Sequence, residues 1–351
     1  MAYALNKKLA GLVPYAVDTG SYAVRLDANE SFLTPPPALR DEMLQKMSQA
    51  ALNRYPDPAA AGVCAAFADY YGTDPALVTA GNGLDEILFL LCNTFLCRGQ
   101  KVLLALPDFS MYRFYAELAE CTVSVYDKGE SFTIDPDALI AQANREGADM
   151  LLFSNPCNPT SLGLDREAVR RIIRGVKALV VLDEAYMDFW DQTLIGEAGE
   201  YDNLILLRTC SKMVGLAGLR LGFAVANPTL TRALRAAKSP YNVGILPQTA
   251  GEVVLRDKTY LDACRDAVIS SARMLFWRLS ALGGKYGFQV FDTCTNFVMV
   301  RMPDAQDVFE RLKAQSILVR CFGDCLRITA GTADENARLL EALETILKKA
   351  E

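Results

Sequence analysis

Between about residues 37 and 235 the chain repeats one kind of segment: short, largely apolar runs set between helical patterns. Lys101–Leu106, Thr122–Tyr126, Met150–Phe153, Ala178–Leu182, Leu204–Leu207 and Gly222–Ala226 are rich in Val, Leu and Ile. Runs of this kind are expected as strands buried on both faces, the condition of a mostly parallel sheet covered by helices. Helical patterns lie between them. Asp135-Pro136 opens one, with proline in the first turn, and Asp165 is placed to cap another through Glu167, Val169 and Ile172. The alternation predicts a doubly wound α/β domain. Beyond residue 240 the pattern changes. A long helical stretch, Thr259–Leu282, precedes short strands at Phe297–Val300 and Leu326–Thr329 and helices at Val308–Ala314 and Glu335–Lys348. The expected organisation is an irregular N-terminal arm (1–37), a large domain (38–240) and a smaller α+β domain (241–351), which 351 residues accommodate.

Composition removes several classes of chemistry. The chain has no histidine, so a Ser-His-Asp triad, a Cys-His pair and histidine-ligated metals are excluded. A general base has to be Lys, Asp, Glu, Tyr or Cys. Ten cysteines are scattered with no CxxC pair, the pattern of reduced, mostly buried thiols and not of a zinc site. The net charge of −6 and the lack of a basic run argue against a nucleic-acid surface. Nothing near Met1–Leu12 reads as a signal peptide or membrane span, so the expected compartment is the cytoplasm.

Ligands of open α/β sheets bind beyond the carboxyl ends of the strands, so the residues after each predicted strand are the candidates. Ser154-Asn155-Pro156-Cys157-Asn158-Pro159-Thr160 comes after one strand, Asp183-Glu184-Ala185-Tyr186 after another, and Arg208-Thr209-Cys210-Ser211-Lys212 after a third; Arg220 precedes the last. Gly81-Asn82-Gly83-Leu84-Asp85-Glu86 is a glycine turn opening a helix, a ready anion site, though neither a Walker A loop nor a dinucleotide fingerprint. Taken singly, each has an ordinary explanation. Lys212 would be a solvated lysine, Asn-Pro-Thr a loop, and Arg327 the partner of a surface carboxylate. Together they form the set that pyridoxal phosphate (PLP) needs: an amine for its aldehyde carbon, a carboxylate for its pyridine nitrogen, donors for its phenolate oxygen, and cations with backbone N–H groups for its phosphate.

At these residues the chain resembles the fold-type I PLP-dependent aminotransferases, and within them the histidinol-phosphate aminotransferases. The resemblance spans nearly the whole chain. It is carried by Leu12-Val13-Pro14-Tyr15, Asp27-Ala28-Asn29-Glu30, Arg54-Tyr55-Pro56-Asp57, the Gly-Asn-Gly loop, Asp183 with Tyr186, Ser211-Lys212 with Leu216-Ala217-Gly218-Leu219-Arg220, Ile317-Leu318-Val319-Arg320, and Leu326-Arg327-Ile328-Thr329. The resemblance implies a role for each. Lys212 would hold the cofactor and shuttle the proton, Asp183 would pair with the pyridinium nitrogen, and Tyr186 and Asn158 would bond the phenolate oxygen. Leu84, Asp85, Thr209, Ser211 and Arg220 would surround the phosphate, which Tyr55 would reach from a partner subunit. Phe109 would stack on the ring. Tyr15, Asn29, Arg320 and Arg327 would bind substrate. It further implies a homodimer, no metal, and histidinol phosphate with 2-oxoglutarate as substrates in histidine biosynthesis.

Three positions depart from the family's pattern: Ser161 where it has glycine, Phe109 where tyrosine is usual, and Asp27 where asparagine is common. A positive φ at Ser161 would strain that loop. The nearest alternatives are a threonine-phosphate decarboxylase, an aminotransferase for aromatic or other amino acids, and a cofactor-free binding protein on the same fold. Retention of both Lys212 and Asp183 argues against the last.

Overall fold

A computed structural model describes residues 3–13 and 18–348. The arm carries α1 (Lys7–Ala10) and β1 (Val24–Arg25). Then come α2 (Pro37–Ser48), α3 (Ala61–Tyr71), β2 (Val78–Gly81), α4 (Leu84–Thr94), β3 (Lys101–Leu106), α5 (Met111–Leu118), β4 (Thr122–Asp127), α6 (Pro136–Glu146) and β5 (Met150–Ser154). Next are α7 (Arg166–Gly175), β6 (Leu179–Asp183), β7 (Leu204–Thr209), β8 (Gly222–Ala226), α8 (Pro228–Ala237), α9 (Ile245–Arg256) and α10 (Lys258–Tyr286). The chain ends with β9 (Gln289–Val290), β10 (Phe297–Arg301), α11 (Ala305–Ala314), β11 (Ile317–Leu318), β12 (Arg320–Phe322), β13 (Cys325–Thr329) and α12 (Ala333–Lys348).

The large sheet has the order β2-β8-β7-β6-β5-β3-β4. All its pairings are parallel except those of β8, which runs antiparallel to both neighbours. The central strands β5, β7 and β8 are buried at every residue. Each fully buried Leu or Val there contributes about 1.5–3 kcal/mol relative to exposure. One strand departs from the expectation of burial on both faces: β4, at one edge of the sheet, is half-exposed, and its Thr-Val-Ser-Val-Tyr sequence alternates polar with apolar residues. β2 was not expected at all. Its sequence, Val-Thr-Ala-Gly, lacks an apolar run, yet all four residues are buried.

The predicted helix starts are present. Asp135 accepts from the Asp137 and Ala138 amides ahead of α6, and Asp165 accepts from the Ala168 amide ahead of α7. Such caps are each worth about 0.5–2 kcal/mol. Two apolar cores part within one helix. Leu261, Cys264 and Val268 of α10 pack with the large sheet, whereas Ala272, Leu275 and Leu279 pack with the small four-stranded sheet β12-β13-β10-β9. Val254 and Leu255 of α9 also belong to the first core. The arm joins the second core through Val24 and Leu26, and β1 pairs in parallel with β11. No described helix is long and apolar enough to cross a membrane.

Candidate active site

The carboxyl ends of β5, β6 and β7, the start of α4, the arm after β1 and the β12–β13 hairpin converge on one cavity of about 400 Å³. Its lining includes Asn29, Leu84, Asp85, Phe109, Asn158, Asp183, Tyr186, Thr209, Ser211, Lys212, Arg220, Arg320 and Arg327. Segments far apart in the chain are thus brought together, as the position of strand ends anticipates.

At the deep end, Asp183 is buried at the last position of β6. Its Oδ2 accepts from the Tyr112 hydroxyl at 2.7 Å and its Oδ1 from the Ala185 amide at 2.9 Å. Burial pushes this carboxyl up from its usual range to about 6, and the Tyr112 bond opposes that shift. Lys212 lies in the turn after β7, where its Nζ donates to the Ala28 carbonyl at 3.0 Å. Burial, and then the nearby charge of Arg327, pulls the ammonium down to about 8. A neutral amine, the form that adds to a carbonyl, is therefore accessible near neutral pH.

Tyr186 is buried, and burial raises its phenol to about 12. The Asn29 side-chain amide donates to its hydroxyl at 2.9 Å. Asn29 itself has φ 53°, a left-handed conformation that asparagine tolerates, and is held by Thr329 through its amide N–H and its side-chain oxygen. Asn158 accepts from the Arg327 guanidinium through its amide oxygen, so its NH2 group is the end available as a donor.

Another part of the lining is built for an anion. Gly83 caps α4 with φ 81°, and a Cβ there would come within 2.8 Å of the Arg220 guanidinium. A Cβ at Gly222 would come within 2.9 Å of the Leu84 amide nitrogen. Both glycines keep a helix N-terminus open beside the Thr209 and Ser211 hydroxyls, which bond one another at 3.0 Å, and beside Arg220, which pairs with Asp85 at 3.0 Å. Backbone N–H groups, hydroxyls and a guanidinium form a donor set suited to phosphate. A buried carboxylate, an anion cradle and an amine lining one cavity fit pyridoxal phosphate.

Of the expected set, Tyr55 is not part of this lining. Tyr55 is exposed and stacks on Tyr241 with ring centroids 4.4 Å apart, away from its own chain's cavity. Tyr15 lies outside the described residues. Ser161 has φ 65° and is buried, so the anticipated strain is present, on the order of 1–3 kcal/mol. Its hydroxyl donates to the Asp292 carbonyl between β9 and β10 at 2.7 Å, a tie that glycine would lack.

Several supporting residues escaped sequence reasoning. Tyr112 is one. Another is the buried pair Lys128–Asp108 at 3.4 Å, whose carboxylate accepts from the Ser154 amide and hydroxyl and from the Phe109 amide. These contacts join side chains from separate elements, which no local pattern announces. The one available signal was position, since Asp108 and Tyr112 flank Phe109 just after a strand end.

The family model for aminotransferase class I and II matches residues 21–343. The histidinol-phosphate aminotransferase of Clostridium kluyveri is 36% identical over 348 residues, covering 98% of each chain. That of Prosthecochloris aestuarii is 36% identical over 347 residues, covering 97% of this chain and 96% of its own. Among solved structures, the histidinol-phosphate aminotransferase of Sinorhizobium meliloti in complex with pyridoxal-5'-phosphate superposes with a TM-score of 0.90 at 23% identity, covering 100% of this chain and 99% of that one. Thermus thermophilus aspartate aminotransferase with maleate gives 0.85 at 19% identity, covering 99% and 100%. The match over nearly the whole chain, together with a strand-end cavity holding Lys212, Asp183 and Arg327, establishes that the chain belongs to the class I and II aminotransferases.

Proposed function

We propose that this aminotransferase uses pyridoxal phosphate to move the amino group of histidinol phosphate to 2-oxoglutarate, as a step of histidine biosynthesis. The observation that carries the substrate is the pair Arg320 and Arg327, directly opposed across the hairpin and both lining the cavity of Lys212. Two guanidinium groups suit a dianionic phosphate, and Arg327 alone suits the carboxylate of glutamate in the second half-reaction. The names of the relatives at 36% identity support the same reading.

The cofactor supplies an electron sink when bound; the chain supplies position and proton transfer. Asp183, at the cavity's deep end, would face the pyridine nitrogen and keep it protonated. Tyr186 and the Asn158 amide would steady the phenolate oxygen. Leu84, Asp85, Thr209, Ser211 and Arg220 would hold the phosphate, and Phe109 would cover one ring face. Lys212 would hold the aldehyde carbon and, as a free amine, move the proton. Tyr55, exposed in the single chain, would complete the site of a second copy in a two-fold dimer.

The test is a panel of amino donors. Histidinol phosphate, phenylalanine and threonine phosphate are compared by kcat/KM with 2-oxoglutarate as acceptor, with carbon dioxide release measured in parallel. Histidinol phosphate is expected to lead. A lead for phenylalanine, or carbon dioxide release from threonine phosphate, overturns the substrate assignment.

A further inference from the structure

Tyr112 has no part in the roles that the motifs imply, yet it is among the largest fully buried side chains of the molecule. It enters with the first turn of α5, just after Phe109, and packs edge-on against the Phe109 ring at 5.5 Å. Its ring sits in the apolar cluster that contains Ile87, Leu88 and Leu104, beneath the large sheet's strand ends. Only its hydroxyl is polar, and that hydroxyl donates to Asp183 Oδ2 at 2.7 Å. The other carboxylate oxygen accepts from the Ala185 amide, a donor fixed by the backbone. Among the described residues, each oxygen of the buried carboxylate thus has one neutral donor, and Tyr112 is the one supplied by a side chain.

We infer that Tyr112 is a positioning residue for Asp183, fixing the orientation in which its carboxylate meets the cavity. The inference rests on the reading in which Asp183 partners the pyridine nitrogen of bound pyridoxal phosphate. The contact has two physical consequences. A carboxylate with one oxygen on a backbone amide and the other on a rigid phenol has a single favoured rotation, so no torsional freedom is lost when a ligand pairs with it. A hydrogen bond to the charged form also favours ionisation. Here that matters because Asp183 is buried. Asp108 and Asp85 face it with like charge, Lys212 faces it with opposite charge, and the Tyr186 phenol lies near. Burial works against the charged carboxylate, and the Tyr112 and Ala185 bonds work for it.

Tyr112→Phe removes one oxygen atom and keeps the ring that fills the core, so it separates orientation and charge from packing. Wild type, Y112F, D183N and the double variant are compared by two readouts: the dissociation constant of pyridoxal phosphate, from titration of the apoprotein by visible absorbance at pH 6 and 8.5, and the pH profile of kcat in the holoenzyme. Y112F is expected to weaken cofactor binding and lower kcat about tenfold or more at pH 6, the scale of one hydrogen bond to a charged group. The loss should shrink at pH 8.5, and the acid limb of kcat should move up by about one pH unit. KM for the amino donor should change less than kcat. In the D183N background, adding Y112F should cost less than about threefold, because the two residues act through one contact. Equal losses at both pH values with full additivity would make Tyr112 a packing residue only and overturn the inference. A costly D183N beside a silent Y112F overturns the role of Tyr112 and leaves that of Asp183 intact. A D183N protein that binds cofactor and turns over normally removes the reading of Asp183 itself, and the inference with it.

Discussion

Arg320 and Arg327 are directly opposed residues of the β12–β13 hairpin, joined by the two-residue turn Gly323-Asp324. Opposed positions of an antiparallel pair present their side chains on the same face, and like charges there repel. The arrangement is tolerated through surrounding groups. Arg327 donates to the Asp27 carbonyl and to Asn158, and it lies 5.4 Å from the Phe322 ring centroid, while Arg320 lies 5.9 Å from the same ring. A phosphate between the two guanidinium groups would replace repulsion with charge-assisted hydrogen bonds.

Arg320→Ala is therefore expected to weaken histidinol phosphate by about 1.5–3 kcal/mol, the range for a lost hydrogen bond to a charged group, and to change glutamate far less. Steady-state kcat/KM for both amino donors checks this. Equal losses for the two, or none for either, would contradict a phosphate clamp and favour a general amino-acid aminotransferase.

Asp183→Asn is expected to lower kcat on the order of 10²–10⁴-fold, judged from the loss of comparable electrostatic groups in other sites. The pH dependence has a definite sign. Burial lifts this carboxyl from 3.8 to about 6 in the cofactor-free chain, so it is protonated increasingly as pH falls through 6. Affinity of the apoprotein for pyridoxal phosphate should therefore drop below that pH in wild type, and that dependence should be absent in Asp183→Asn. Turnover within a fewfold of wild type would refute the role.

The exposed stack of Tyr55 on Tyr241 predicts assembly. If Tyr55 completes a second copy's phosphate site, the active species is a two-fold dimer and Tyr55→Phe weakens cofactor binding without loosening the fold. Sedimentation at assay concentration measures the first and apoprotein titration the second. An active monomer contradicts both.

Much of this was legible in the chain because strands buried on both faces carry their own signal. Buried runs such as Met150–Phe153 and Gly222–Ala226 mark strands, and the polar residues at the strand ends mark the cavity. Asp183, Lys212 and Asn158 are found this way. β2 was hidden because Thr79 and Gly81 break its apolar character, and its burial comes from β8 and the helices around it. The passage from one apolar core to the other is not marked by composition, since α10 continues unbroken from one into the other. Tyr112 and Lys128 were invisible for a different reason: a buried tyrosine or lysine shows its partner only when the fold brings the partner near. Tyr55 sits at the limit of a single chain, because its proposed partner belongs to another copy.

Every role proposed for the cavity depends on Lys212 as the residue that carries the cofactor. Its ammonium, drawn down to about 8 by burial and Arg327, should make capture of pyridoxal phosphate by the apoprotein quicken as pH rises through 8 and level off above it. The decisive measurement is borohydride reduction of the reconstituted protein, with the labelled peptide identified by mass spectrometry. One pyridoxyl group per chain is expected, on Lys212, with no label and no transamination in Lys212→Ala. Label on another lysine, such as Lys238 or Lys128, or normal turnover without Lys212, would contradict the assignment.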